Sequence, residues 1–252
     1  MLNPMELTNR TILVTGASSG IGRATAILLS QLGARVILVA RRAEQLAETA
    51  ALLEGSGHRV ETFDLTAIDD LPGWLKRLTA EIGPLHGLVH SAGMQSIRPV
   101  RFLTPEHLEE MMQINVGAAL GLAKAFRQKG VCSSPSSIVF LASVVGLVGQ
   151  PGIAAYAASK GAVVALTKSL AVELAGAGIR VNCVVPAVVQ TEMSARMRAS
   201  WTDEQFAEIE AKHLLGLGTP LDVAHAIAFL IADTGRWITG TSLVVDGGYT
   251  AH

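Results

Sequence analysis

Tyr156 and Lys160 stand four residues apart in a stretch of helical periodicity, thirteen residues beyond Ser143. Side chains four apart share one helical face, so this spacing can set the Lys160 ammonium beside the Tyr156 phenol and stabilise its anion. A phenol titrates at roughly 10, and each unit of depression needs about 1.4 kcal/mol of differential stabilisation. Ser143 closes the apolar run Ile138-Val139-Phe140-Leu141-Ala142, which reads as a buried strand carrying a hydroxyl to its tip. That is where open α/β sheets receive ligands. The chemistry suggested is proton transfer by a phenol that a neighbouring cation makes more acidic.

Short β-branched runs at 11–15, 35–39, 60–63, 87–90, 138–141, 179–185 and 243–245 read as strands. Amphipathic stretches at 21–31, 43–53, 71–81, 105–128, 153–174 and 221–231 fill the gaps as helices. This alternation predicts a doubly wound parallel sheet of seven strands with helices on both faces. No linker-like stretch divides the 252 residues, so residues 1–252 read as one domain. The pattern loosens over about 188–215, with a short helix near 203–212. Inserted segments of this length often act as lids, and Met193, Met197, Trp201 and Phe206 are candidates to line a substrate pocket or to pack a small lobe.

The run Thr15-Gly16-Ala17-Ser18-Ser19-Gly20-Ile21-Gly22 follows the first strand and opens the first helix. Glycines there admit close backbone approach and leave helix N-terminal amides facing a pyrophosphate. The same letters match the G-x-S-x-G nucleophile elbow of hydrolases, for which His213 and His225 are the available bases. Such an elbow normally follows several strands, and neither histidine is otherwise placed for a triad. After the second strand comes Ala40, then Arg41 and Arg42. A carboxylate there would bind ribose hydroxyls, whereas a guanidinium offers a planar fork to a 2′-phosphate. NADP(H) is therefore favoured over NAD(H). Asp64, after the third strand, either accepts from an adenine amino group or caps its own turn with Thr66.

Thr15–Gly22, Asp64, His90-Ser91-Ala92-Gly93, Asn115, Ser143, the Tyr156–Lys160 pair, Pro186 and Asp246-Gly247-Gly248 together resemble the short-chain dehydrogenase/reductase family over almost the whole chain. The resemblance implies a Rossmann fold, often tetrameric, that interconverts a carbonyl and an alcohol with NAD(H) or NADP(H). It implies that Tyr156 donates the proton in reduction, that Lys160 lowers its pKa and holds the nicotinamide ribose, and that Ser143 bonds the reacting oxygen. Asn115 is implied to position a water linking Lys160 to solvent. Gly16, Ser18, Ser19, Gly20, Ile21, Gly22, Arg41, Arg42, Asp64, Leu65, His90, Ala92, Gly93, Pro186, Val189 and Thr191 become the expected cofactor contacts. Two departures stand out. His90-Ser91 replaces the frequent Asn-Asn, and Ala187 replaces a frequent glycine after Pro186.

Among family members the chain most resembles 3-oxoacyl-(acyl-carrier-protein) reductases, with sugar or polyol dehydrogenases of similar length as the alternative. A small carbonyl or alcohol substrate, free or carrier-linked, is expected. A catalytically idle nucleotide sensor or assembly subunit is the reading from another class. Retention of both Tyr156 and Lys160 argues against it. The Ala- and Val-rich stretch 161–174 is a candidate face for self-association. A net charge of −1 without a basic run argues against nucleic acid. The most hydrophobic stretch, 138–158, is broken by Ser143, Gly146, Gly149, Gln150, Pro151 and Gly152, which argues against a membrane span. Two cysteines without metal-type spacing, and no signal-like start, predict buried thiols in the cytoplasm and no metal.

Overall fold

The computed structural model describes residues 3–198 and 201–251. Its strands are β1 (Thr11–Thr15), β2 (Arg35–Ala40), β3 (Arg59–Thr62), β4 (Leu85–His90), β5 (Cys132–Leu141), β6 (Ile179–Pro186) and β7 (Ser242–Val245). All pair in parallel in one sheet of order β3-β2-β1-β4-β5-β6-β7. The helices are α1 (Gly20–Gln31), α2 (Ala43–Ala50), α3 (Leu71–Ile82), α4 (Pro105–Met112), α5 (Ala118–Phe126), α6 (Ala154–Leu174), α7 (Glu192–Arg198), α8 (Asp203–Ala211) and α9 (Pro220–Ile231).

Strand residues alternate between two cores, as the pleat requires. Leu13 of β1 joins Trp74, Phe126 and Val163 from α3, α5 and α6. Its neighbours Ile12 and Val14 join Leu29 of α1 and Ile227 of α9 on the other face. With both faces covered, central strands need apolar side chains at every position, which is why they read as unbroken runs. The doubly wound parallel sheet expected from the alternation, and the Rossmann fold implied by the resemblance, are what the structure has. Strand order reverses between β1 and β4, and the crevice beyond their C-terminal ends is the place such sheets bind dinucleotides.

Three elements depart from the sequence reading. The single helix expected over 105–128 is interrupted by a π-helical turn at Gln113–Gly117 between α4 and α5, and such turns often mark functional positions. β5 begins at Cys132, well before the apolar run, because Cys132 pairs with Leu85 and Ser136 with Ile179 across a register shift. Residues 192–198, left irregular in the sequence reading, form α7. No helix among the described residues is long and apolar enough to cross a membrane.

Candidate active site

β5 carries the chain to Leu141 and Ala142, and Ser143 follows in extended backbone before a short turn at Val144–Gly146. That turn packs flush on α6. A methyl group on Gly146 would lie 2.8 Å from the backbone of Lys160 and Gly161, so only glycine lets Ser143 approach the helix this closely. On α6 the buried residues Tyr156, Lys160, Val163, Thr167, Leu170 and Leu174 form one stripe at helical spacing. Its apolar part anchors the helix and its first turns bring the phenol and ammonium to the crevice.

The Tyr156 and Ser143 hydroxyls line the same cavity, and Ser143 is the polar side chain that acts on the phenol. Lys160 Nζ donates to the Leu141 carbonyl at 2.7 Å and lies 5.7 Å from the centroid of the Tyr156 ring. Burial pushes the Tyr156 phenol up to about 12, with Ser143 opposing the shift. Burial likewise pulls the Lys160 ammonium down to about 8, while the nearby Cys183 opposes the shift. In this arrangement burial, and not the Lys160 cation, sets the direction of the phenol's shift. The cation serves a backbone carbonyl and the ring face, so desolvation dominates at the phenol oxygen. Tyr156 is held as a neutral acid, the form needed to give a proton to a developing alkoxide.

Asn115 sits in the π turn and is buried. Its Oδ1 accepts from the Met94 amide at 2.8 Å, while Nδ2 donates to the Met94 carbonyl at 3.0 Å and to Ser159 Oγ at 2.9 Å. Ser159 Oγ in turn donates to the Tyr156 carbonyl. The amide therefore fastens the loop after β4 to α6. Gly93 completes the junction, because a methyl there would stand 3.0 Å from Asn115 Oδ1 and 3.6 Å from Lys160 Nζ.

A groove of about 440 Å³ lies over the β1 loop, where the dinucleotide is expected. Gly16, Ser18, Ser19, Gly20, Ile21, Gly22, Arg41, Arg42, Asp64, Leu65, Ala92, Gly93 and Thr191 all line it. The backbone there is tight enough to admit only glycine at two points. Gly16 has φ +68°, and a methyl on it would come within 2.8 Å of the Ala92 amide, while one on Gly22 would overlap the Gly16 carbonyl. The groove opens into a second cavity of about 130 Å³ that contains Ser143, Tyr156, Lys160, Pro186 and Val189. Ile21, Gly93, Leu141, Thr191 and Met193 line both. A group lying along the groove can therefore reach the phenol.

Several expected contacts sit differently. Arg42 donates to Ser18 Oγ at 2.9 Å and Ser19 Oγ at 3.0 Å, so it braces the loop, while Arg41 stands exposed with Asp64 as a charged neighbour. Asp64 Oδ1 accepts the Thr66 amide and hydroxyl. This is the turn-capping alternative, and those bonds hold its carboxyl below the usual range. His90 lines neither cavity. Buried beside Phe140, it meets Thr15 Oγ1 through Nδ1 at 2.9 Å and leaves Nε2 without a partner. The hydrolase alternative fails on geometry, since Ser18 is held by Arg42, His225 is exposed, and His213 is engaged elsewhere.

His213 enters the sequence analysis only as a candidate base of the hydrolase alternative. It is buried, with Nδ1 donating to the Ile209 carbonyl at 2.7 Å and Nε2 accepting the Val188 amide at 3.2 Å. It thereby ties α8 to the loop after β6, and its ring packs on Tyr249. Met193, Met197 and Trp201 line the small cavity as expected. Phe206 instead faces an outer cleft, under the Arg198 guanidinium. Arg196, not anticipated, lines the dinucleotide groove. The i, i+4 pair Glu192 and Arg196 was the available signal, once α7 is recognised as a helix. Cys183 is buried and Cys132 half-buried, both free thiols. Among the described residues no side-chain cluster is suited to a metal.

Comparison with known proteins agrees with this geometry. Residues 16–250 match a family described as enoyl-(acyl carrier protein) reductase. A cis-4-hydroxycyclohexanecarboxylate dehydrogenase of Sinomonas cyclohexanicum is 39% identical, with 96% of this chain and 97% of that protein covered. A 3-oxoacyl-[acyl-carrier-protein] reductase of Rickettsia conorii is 34% identical over 97% of this chain and 98% of its own length. The crystal structure of a putative NAD(P)-dependent gluconate 5-dehydrogenase from Beutenbergia cavernae, with NADP bound at low occupancy, superposes with a TM-score of 0.91 at 35% identity, covering 99% and 100% of the two chains. With these relatives, this sheet order and a serine, tyrosine and lysine gathered at one end of it, the chain belongs to the short-chain dehydrogenase/reductase family and is an NAD(P)-dependent oxidoreductase.

Proposed function

We propose that the chain, acting as one domain, reduces a carbonyl to a secondary alcohol with NADPH and runs the reverse reaction with NADP. One observation carries the proposal: the buried Tyr156 phenol and the Ser143 hydroxyl line one cavity, at the place where the dinucleotide groove opens into it. A bound nicotinamide supplies hydride. Tyr156 then delivers its proton to the alkoxide oxygen while Ser143 donates to the same oxygen, and preorganised donors of this kind contribute about 3–4 kcal/mol each. Lys160, seated on the Leu141 carbonyl, lines the same cavity and is the residue that would hold the nicotinamide ribose. Asn115 acts by placing α6 and the Gly93 backbone, and a water link from Lys160 to solvent would draw on a group other than its committed amide. Replacing Tyr156 by Phe removes the acid and leaves the groove intact. NADPH oxidation on a panel of ketones should fall at least about 1,000-fold, with nucleotide affinity changed less than twofold. Unchanged turnover in that variant removes the assignment.

The preference for NADP(H) rests on Arg41. Arg42 is occupied with the Ser18 and Ser19 hydroxyls, which leaves the exposed Arg41 to meet a 2′-phosphate as a planar fork. Arg41→Asp should lower the ratio of kcat/KM for NADPH over NADH by about tenfold or more, since a repelled phosphate costs at least ~1.4 kcal/mol. An unchanged ratio would assign the preference elsewhere.

Carrier-linked 3-oxoacyl groups, sugar acids and alicyclic alcohols all occur in the names of the relatives, so names do not choose among substrates. Self-association is supported by α6, whose outward face exposes Val172 at 83%, and by the half-exposed Leu120 on α5. A sedimentation profile of monomer alone would remove it. We place the enzyme in the cytoplasm on its two free thiols.

A further inference from the structure

The geometry points to a small, uncharged, largely apolar ketone of about ring size as the substrate, in preference to a carrier-linked acyl thioester, a sugar acid or a polyol. This rests on the oxidoreductase reading above and concerns only what fills the cavity beside Tyr156.

Helix α7 decides the charge of that cavity. Met193, Ser194 and Met197 turn toward it, whereas Glu192 and Arg196 face the dinucleotide groove and Arg198 faces the outer cleft. Met94, Ile97, Ile153, Trp201 and Tyr249 also line it. Apart from Lys160, whose ammonium is committed to the Leu141 carbonyl, no charged side chain among the described residues lines the space. Residues 199 and 200, outside the described part, are Ala and Ser and carry no charge.

These facts exclude substrates by desolvation. A carboxylate or phosphate brought here would lose its hydration without an ion partner, and burial of an unpaired charge is strongly unfavourable. A polyol would find polar side chains in Ser91, Gln95, Gln150, Trp201 and Tyr249, but Thr191 and Ser194 are already bonded to each other. Each hydroxyl left facing Met193, Met197 or an aliphatic wall residue loses a water hydrogen bond. Ring carbons against Met193, Met197 and Trp201 lose no hydrogen bonds, and the flexible thioethers adapt to their outline. The volume of about 130 Å³, part of it shared with the groove, suits a molecule of a few carbons and leaves little for a pantetheine arm.

The chemistry balances with the proposed cofactor. The carbonyl carbon accepts hydride from the reduced nicotinamide, which is oxidised. The C=O π pair moves to oxygen, and that oxygen takes the Tyr156 proton, which solvent restores.

The test compares NADPH oxidation by the full chain on cyclohexanone and cyclopentanone, an acetoacetyl thioester, and a keto-sugar acid. Cyclic ketones are expected to give kcat/KM at least 100-fold above the other two. Met193→Arg, which places a cation in the wall, should lower kcat/KM for cyclic ketones at least tenfold, chiefly through KM, and narrow the gap to the keto-acid. Highest kcat/KM on the thioester or the keto-acid overturns the substrate class while leaving the oxidoreductase standing. Turnover on none of them overturns both.

Discussion

Lys160→Met is expected to reduce turnover by about 100- to 1,000-fold and, at pH 7, to make the protein more stable than the wild type. The activity loss follows from removing the cation that lines the reaction cavity and would hold the nicotinamide ribose, a contribution of roughly 3–4 kcal/mol. The stability gain follows from burial. Lys160 is enclosed, and desolvation pulls its pKa down to about 8 against an ordinary value of 10.5. Between those values the unfolded chain binds the proton and the folded chain releases it, so wild-type stability rises with pH across that window. Below about pH 8 the full penalty operates, on the order of 3 kcal/mol at about 1.4 kcal/mol per unit. Methionine keeps the unbranched shape and removes the charge. It also leaves the Leu141 carbonyl without its 2.7 Å donor, which costs about 1–2 kcal/mol. A net gain of roughly 1–2 kcal/mol at pH 7 should remain, shrinking toward pH 10.5. Urea melts at the two pH values read it directly, and a variant less stable than wild type at pH 7 would mean that the ammonium contributes more through Leu141 and the Tyr156 ring than burial takes away.

His90→Asn should remove a large part of the protein's acid sensitivity. Burial, assisted by the Lys160 charge, holds the His90 imidazole at about 3, far below its usual 6.5. For a histidine kept neutral in the fold, the unfolded chain gains the proton first. Stability is therefore present above pH 6.5 and is lost as pH falls toward about 3, at about 1.4 kcal/mol per unit. Thr15 Oγ1 accepts the Ala92 amide at 3.3 Å, so its hydroxyl is free to donate to His90 Nδ1 and the ring proton rests on the unpartnered Nε2. Asparagine can meet Thr15 without titrating, and like the imidazole it leaves a buried N–H without a partner, so that cost is common to both proteins. At pH 4.5 the variant should exceed wild type by about 2–3 kcal/mol, with a difference under ~1 kcal/mol at pH 7.5. Turnover at neutral pH should change little, because His90 lines neither cavity. Parallel stability profiles for the two proteins would show that the imidazole titrates normally.

Two of the discrepancies between pattern and structure share a cause with these predictions. The π turn that splits the stretch 105–128 is held by Asn115, whose partners Met94 and Ser159 lie 21 and 44 residues away. Periodicity within a window cannot register such partners. The early start of β5 is similar, for Cys132 and Ser136 are in the sheet because Leu85 and Ile179 lie alongside, although neither residue extends the apolar run. By contrast β1 and the start of α2 fall at the expected residues. Their signals, an unbroken apolar run and an amphipathic onset, are local.

The amino-acid sequence alone determined the seven strands, their parallel winding, and the gathering of Ser143, Tyr156 and Lys160 at one end of the sheet. Those features follow from helical and strand spacing and from which side chains avoid water. Tertiary structure decided the electrical state of the same groups: that Lys160 turns to a carbonyl, that the phenol is made a weaker acid, that Arg42 braces a loop, and that α7 turns its charges away from the cavity. Desolvation and hydrogen-bond partnership depend on atoms brought close by folding, and distance along the chain carries almost no record of them.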